Sequence, residues 1–205
     1  MSSKRLIIIK ICLHLLCLLP FVRLIFKYFA NDLGANPLEF ITRSTGTWTL
    51  AILLVSLSVT PLRKIKSLNW IIKLRRLLGL YAFFYVCLHF TTYLWFDQFF
   101  DLTSITKDIY KRPFITIGFA AFVLLIPLAA TSTKAAIKLL TGKRWQQLHR
   151  LVYPAAICGV VHYYWLVKAD ITQPVIYAII LAVLFGIRLS GKLFKSKRIK
   201  NELVP

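Results

Sequence analysis

Charged and apolar residues are segregated along this chain into blocks. Residues 44–62, 77–96, 113–133, 151–167 and 171–187 contain no Asp, Glu, Lys or Arg. Each window is 17–21 residues long, and an α-helix needs about 20 residues to cross roughly 30 Å of hydrocarbon. A first segment, residues 6–28, is equally apolar but carries Lys10, Arg23 and Lys27. The pattern predicts an all-α integral membrane protein, a bundle of six transmembrane helices at about 6–28, 45–62, 77–97, 113–132, 148–167 and 172–190. Its opening, KRLIIIKICLHLLCLLPF, has the order of a signal peptide. No small-residue cleavage site follows and the apolar run continues past Arg23, so the segment is expected to stay as the first helix.

The connections are short, the longest lying around NDLGANPLEFITRSTG and DQFFDLTSITKDIYKRP. Neither is long enough to form a separate unit, so residues 1–205 read as one transmembrane domain, with 191–205 as a basic tail. Pro61 and Pro113 fall at helix ends, whereas Pro20, Pro127 and Pro154 fall inside apolar runs and are expected to kink them. Tyr93, Trp95, Tyr163, Tyr164 and Trp165 gather toward one end of the third and fifth segments, as interfacial anchors do.

Composition agrees. The chain is 58% hydrophobic with a mean hydropathy of +0.69, more apolar surface than a soluble domain of this size can bury. The net charge of +20 is concentrated before the first helix, in the 2–3 and 4–5 connections and after the last helix. The other connections hold Asp32, Glu39, Asp97, Asp101, Asp108 and Asp170, six of the seven acids. This alternation is the positive-inside pattern for an even number of spans with both termini cytoplasmic. The basic face is expected on anionic lipid and argues against a nucleic-acid role. The four cysteines lie inside expected spans and form no C-x-x-C or C-x-x-C-H motif, so they read as packing residues. No G-x-G-x-x-G or P-loop is present, so any pyridine-nucleotide or ATP chemistry would come from a partner.

The candidate chemistry lies in the histidines, whose cost at membrane depth makes function the default expectation. His89 lies thirteen residues beyond Arg76 on the third segment, and His162 twelve beyond Arg150 on the fifth. At about 1.5 Å per residue both imidazoles reach a depth of roughly 18–20 Å. Two neutral imidazoles on facing helices suit a six-coordinate haem, and the absence of nearby carboxylates disfavours zinc. His149 is thirteen residues before His162, about 20 Å below it and about 140° around an ideal helix. It is open between ligating a lower haem and bonding a propionate or flavin at the membrane edge. His14 is either a partner for such a haem or a helix contact.

RRLLGLYAFFYVCLHFTTY (75–93) together with GKRWQQLHRLVYPAAICGVVHYYW (142–165) closely resembles the MsrQ (formerly YedZ) family. DLGANPLEF, SVTPLRK, KRPFITIGF and AATSTKAA extend the resemblance over nearly the whole chain. That family comprises haem-bearing membrane subunits of MsrPQ methionine sulfoxide reductase systems, within the ferric reductase-like transmembrane superfamily. The resemblance implies haem b, one or two, with His89, His162 and His149 as candidate iron ligands, and FMN. Where the superfamily carries a lower histidine on the third helix, this chain has Arg75 and Arg76. These, with Lys143 and Arg144, are candidates for an FMN phosphate or haem propionate.

The resemblance further implies an electron conduit in the bacterial inner membrane. It would take electrons from the quinone pool or a cytosolic flavin reductase and deliver them to MsrP, a periplasmic molybdopterin subunit, for repair of oxidised methionine in proteins. On that reading the chain carries electrons without a catalytic site of its own. Two other readings stay open: a stand-alone ferric or quinone reductase, and a transporter or structural protein without haem.

Overall fold

The computed structural model describes residues 2–63 and 65–202, with side chains described as far as Ser190, Lys66 excepted. Lys64 and residues 203–205 of the basic tail lie outside the described residues, as do the side chains at 191–202. The described residues are helical, with no strand among them. The helices are α1 (Ser3–Phe29), α2 (Pro37–Leu62), α3 (Arg75–Thr92), α4 (Leu102–Lys111), α5 (Pro113–Ala130), α6 (Lys134–Leu148), α7 (Val152–Leu166) and α8 (Thr172–Glu202). A 3-10 segment, Lys66–Leu74, leads into α3, a π turn, Tyr93–Asp97, ends it, and a 3-10 turn, His149–Leu151, opens α7.

Five stretches are long and apolar enough to cross a membrane: Ser3–Phe29, Pro37–Leu62, Ser67–Asp97, Pro113–Ala130 and Thr172–Ser190. The outward side chains agree with that. Ile8, Leu15, Leu19 and Phe26 on α1, Val55 on α2, and Ile179 and Val183 on α8 are all exposed, which is stable where the surroundings are hydrocarbon. The chain is a multi-pass helical membrane protein. The fifth expected helix, 148–167, contains α7, which is only 15 residues long and is not among these five. The helices α4 and α6 occupy stretches that the charge pattern leaves as connections.

Local chemistry explains the boundaries. Asn36 caps α2 by accepting from Glu39 N–H at 3.2 Å, and Pro37 and Pro113 open α2 and α5, where a missing N–H costs nothing. Pro154 was expected to kink its helix. It lies instead in the first turn of α7, where its missing N–H is among the groups that lack a helical partner anyway. The break falls just before it, at His149–Leu151.

Pro20 lies inside α1, where its missing N–H leaves a gap in the ladder. Beside it, the Tyr85 hydroxyl of α3 donates to Cys17 O at 2.7 Å and accepts from Phe21 N–H at 3.1 Å. A side-chain hydroxyl thus bridges two main-chain groups that flank a proline within the helix. Tyr85 is only 1% exposed, so this tie locks α1 to the helix that carries His89.

The core is built on α2, which packs most extensively against α3, while α5 pairs with α7. Leu57, Ala82, Ala155 and Ala156 are almost completely buried. The three alanines let α3 and α7 approach their neighbours closely, since small residues promote helix packing where water supplies no hydrophobic drive.

Candidate cofactor site

Five helices line a cavity of about 480 Å³, with Thr42 and Gly46 of α2, His89 of α3, Asp108 of α4, Phe114 and Gly118 of α5, and Gly159 and His162 of α7 among its walls. His89 and His162 meet inside it, their ring centroids 6.1 Å apart and their planes at 72°. Each Nδ1 is tied to a main-chain carbonyl, His89 to Thr42 O at 2.9 Å and His162 to Phe114 O at 2.7 Å. A carbonyl only accepts, so each Nδ1 carries the hydrogen and, in the neutral ring, each Nε2 keeps its lone pair. No hydrogen bond to either Nε2 occurs among the described residues. Metal-ligating histidines have this arrangement, one nitrogen held and the other presented.

The rings lie against glycines. A Cβ on Gly46 would come within 3.0 Å of His89 Cε1, and one on Gly118 within 2.7 Å of His162 Nδ1. The two halves repeat the same device: a carbonyl that holds the imidazole, and a glycine four residues later on the same helix that leaves room for it. With about 2.0–2.1 Å for each metal–imidazole bond and about 1.2 Å from nitrogen to ring centre, one metal between the rings puts the centroids about 6.5 Å apart. The observed separation is near that value, and the cavity volume is in the range of cofactor sites. Phe90, Phe119, Phe122 and Leu125 supply apolar walls. At the mouth, Asp108 accepts from Gln98 Nε2 at 2.9 Å and pairs with Arg112 at 3.2 Å.

His149 is not part of this pair. It lines a second cavity of about 560 Å³ at the other end of α3 and α7, with Arg63, Arg75, Arg76, Arg150, Trp145 and Tyr153. Among the described residues no Asp or Glu lines it. Trp145 stacks on His149 with centroids 3.9 Å apart, and His149 Nε2 lies 3.0 Å from Thr131 Oγ1. The Thr131 hydroxyl gives its hydrogen to Pro127 O at 2.6 Å, so it accepts from His149 and leaves the imidazole lone pair on Nδ1. Arginines without carboxylates beside a stacked indole fit a planar ligand bearing phosphate or carboxylate. Leu53 and Leu125, both buried, line both cavities and form the wall between them.

Of the other candidates, Lys143 and Arg144 are exposed on α6 and line neither cavity. His14 bonds Tyr81 on α3 at 2.8 Å, also outside both, as a helix contact. Sequence reasoning missed Gly46, Gly118, Trp145 and Tyr153. For the glycines a signal existed: they are rare here, and a glycine inside a span marks close approach.

Fold and site define a class, a multi-pass helical membrane protein with two imidazoles meeting in a cavity between its helices. Residues 45–160 match the ferric reductase like transmembrane component family. Relatives named protein-methionine-sulfoxide reductase heme-binding subunit MsrQ are similar over most of their length. The protein of Herminiimonas arsenicoxydans is 57% identical over 91% of this chain and 87% of its own. That of Ralstonia nicotianae is 54% identical over 92% and 88%, and that of Rhodospirillum rubrum 51% identical over 88% and 86%. The chain belongs to the MsrQ family, within the ferric reductase-like transmembrane proteins.

Proposed function

We propose that this chain is the electron-transferring membrane subunit of a methionine sulfoxide reductase system. In this reading it takes reducing equivalents from the quinone pool or a cytosolic flavin reductase at the arginine-lined end. It delivers them at the histidine end to the periplasmic molybdopterin subunit MsrP, for repair of oxidised proteins. The observation that carries the reading is the half-buried His89–His162 pair, each Nδ1 held by a carbonyl. Relatives named as heme-binding subunits support it.

In the bound state, haem b supplies one-electron chemistry and FMN couples one- to two-electron chemistry. His89 and His162 would hold the haem iron through their free Nε2 atoms. Thr42 and Phe114 fix the tautomers, and the carbonyl bonds make each imidazole a better electron donor. Phe90, Phe119 and Phe122 keep water out, which favours a fixed coordination sphere. Arg75 and Arg76 would take the FMN phosphate, and Trp145 and His149, which line the same cavity, would help to hold the flavin. Lys143 and Arg144 remain on the basic face against anionic lipid.

The topology is a bundle of six spans in the bacterial inner membrane with both termini cytoplasmic. The helix α7 is about 22 Å long, and the 3-10 turn before it adds about 6 Å, together close to the thickness of the hydrocarbon. The charge alternation between connections supports the orientation. The test is purification of His89→Ala and His162→Ala: each loses most of the low-spin haem absorbance. Parent-like spectra in both would remove the ligand assignment.

A further inference from the structure

Arg188 is a cation in a membrane-spanning stretch without a carboxylate. Among the described residues the ion pairs join Lys27 to Asp32, Arg43 to Glu39 and Arg112 to Asp108, and none reaches Arg188. Its guanidinium donates to the Tyr153 phenol oxygen and to Leu57 O, lies 5.0 Å from the Tyr153 ring centre, and keeps a buried Nε with no partner. Arg188 lies two residues from the end of its span, where a cation can reach the headgroups, yet it turns onto Tyr153. Packing alone would be served by a neutral side chain. The observation that points to a use is on Tyr153, which lines the arginine cavity.

The Tyr153 oxygen already accepts from Arg188, so its own hydrogen must go elsewhere. No acceptor for it occurs among the described residues. The phenol therefore keeps one uncommitted donor hydrogen on a residue of the cavity lining, and the guanidinium bonded to its oxygen polarises that hydrogen. Nearby, Arg63, Arg75 and Arg76 line the same cavity. Point cations suit a phosphate or carboxylate, whereas a single phenol donor suits a neutral carbonyl oxygen.

We propose that Tyr153, its oxygen engaged by Arg188, is the hydrogen-bond donor that this cavity turns on the ring carbonyl of a planar two-electron redox ligand, a flavin or a quinone. The inference rests on reading the cavity as the site of such a ligand. A ring carbonyl carries more negative charge in the reduced ligand than in the oxidised one, and a hydrogen bond to the more charged form is the stronger. Tyr153 therefore favours reduction and acts as a positioning and tuning group, with Arg188 holding it in place.

The experiment uses the full chain in detergent, with Tyr153→Phe and Arg188→Lys beside the parent, and flavin content measured first. The expected result for Tyr153→Phe is retained FMN, an unchanged haem spectrum, and a flavin ring-carbonyl band shifted to higher frequency in resonance Raman. The reduced-to-oxidised ratio at fixed potential falls about tenfold, which is about 30 mV for a two-electron couple. Arg188→Lys, which loses one of the two bonds, moves both readouts in the same direction by less. A retained flavin with unmoved potential and carbonyl band overturns the proposal. A disturbed haem spectrum in both variants also does so, by making Tyr153 a helix tie. Parent protein without flavin would refute the FMN reading alone. In that case the same variants are titrated with a short-chain quinone: a tenfold weaker Kd in Tyr153→Phe supports the donor role, and equal Kd values or no binding overturn it.

Discussion

Gly118→Ala adds one carbon in a space that His162 already fills. The new Cβ would lie 2.7 Å from Nδ1 and 2.9 Å from Cε1, whereas ordinary contact begins at 3.4 Å. The ring must move about 0.7 Å, well beyond the roughly 0.2 Å tolerance of a metal–ligand bond. The movement also strains the 2.7 Å bond to Phe114 O. Losing such outer support costs about 10–100-fold in metal affinity, which is about 1.4–2.7 kcal/mol. Gly46→Ala, at 3.0 Å from His89 Cε1, asks for only about 0.4 Å and should cost less. Alanine favours a helix by about 1 kcal/mol over glycine, so neither change unfolds the bundle through backbone propensity. The assay is haem per polypeptide after purification, with the low-spin absorbance and electron paramagnetic resonance spectra. Gly118→Ala is expected to hold well under half the parent haem, and Gly46→Ala most of it with a shifted spectrum. Full haem with unchanged spectra in Gly118→Ala, or the reverse order of severity, would refute the reasoning.

Other perturbations separate the parts. Reversing charge at Arg75 and Arg76 to Glu is expected to cut FMN retention at least tenfold while leaving the haem spectrum intact, as read by flavin fluorescence after denaturation. His149→Ala is expected to keep the low-spin haem and to slow its reduction from the arginine end in stopped-flow absorbance. Loss of the haem signal there would make His149 a ligand. Tyr85→Phe removes the group that bridges Cys17 O and Phe21 N–H and should destabilise the fold by about 1–3 kcal/mol. That loss is read as a lowered Tm in detergent.

The spans were legible because hydrocarbon tolerates so few charges that their absence over 17–21 residues is itself the signal. That signal says nothing of α4, whose Leu102, Ile105 and Ile109 make an amphipathic face on ten polar-rich residues capped by Asp101. The same holds for α6, which bends at Thr141 with φ 62°. Counting residues from the basic boundary brought His89 and His162 to one depth, since rise per residue is nearly constant. Rotation about the axis is less constant, and the 3-10 turn at His149–Leu151 resets it, so the place of His149 could not be read from an ideal helix. The glycine cradle needs two helices seen together. Nothing in RSTGTW or ITIGFA alone says which ring each glycine faces.

The central claim is that the His89–His162 cavity holds one haem. Its most direct test is the dithionite-reduced minus oxidised absorbance spectrum of the detergent-purified chain, with haem quantified per polypeptide. The account predicts a low-spin b-type spectrum at one haem per chain. A well-folded protein without haem, or a high-spin spectrum lacking the bis-imidazole signature, would contradict it.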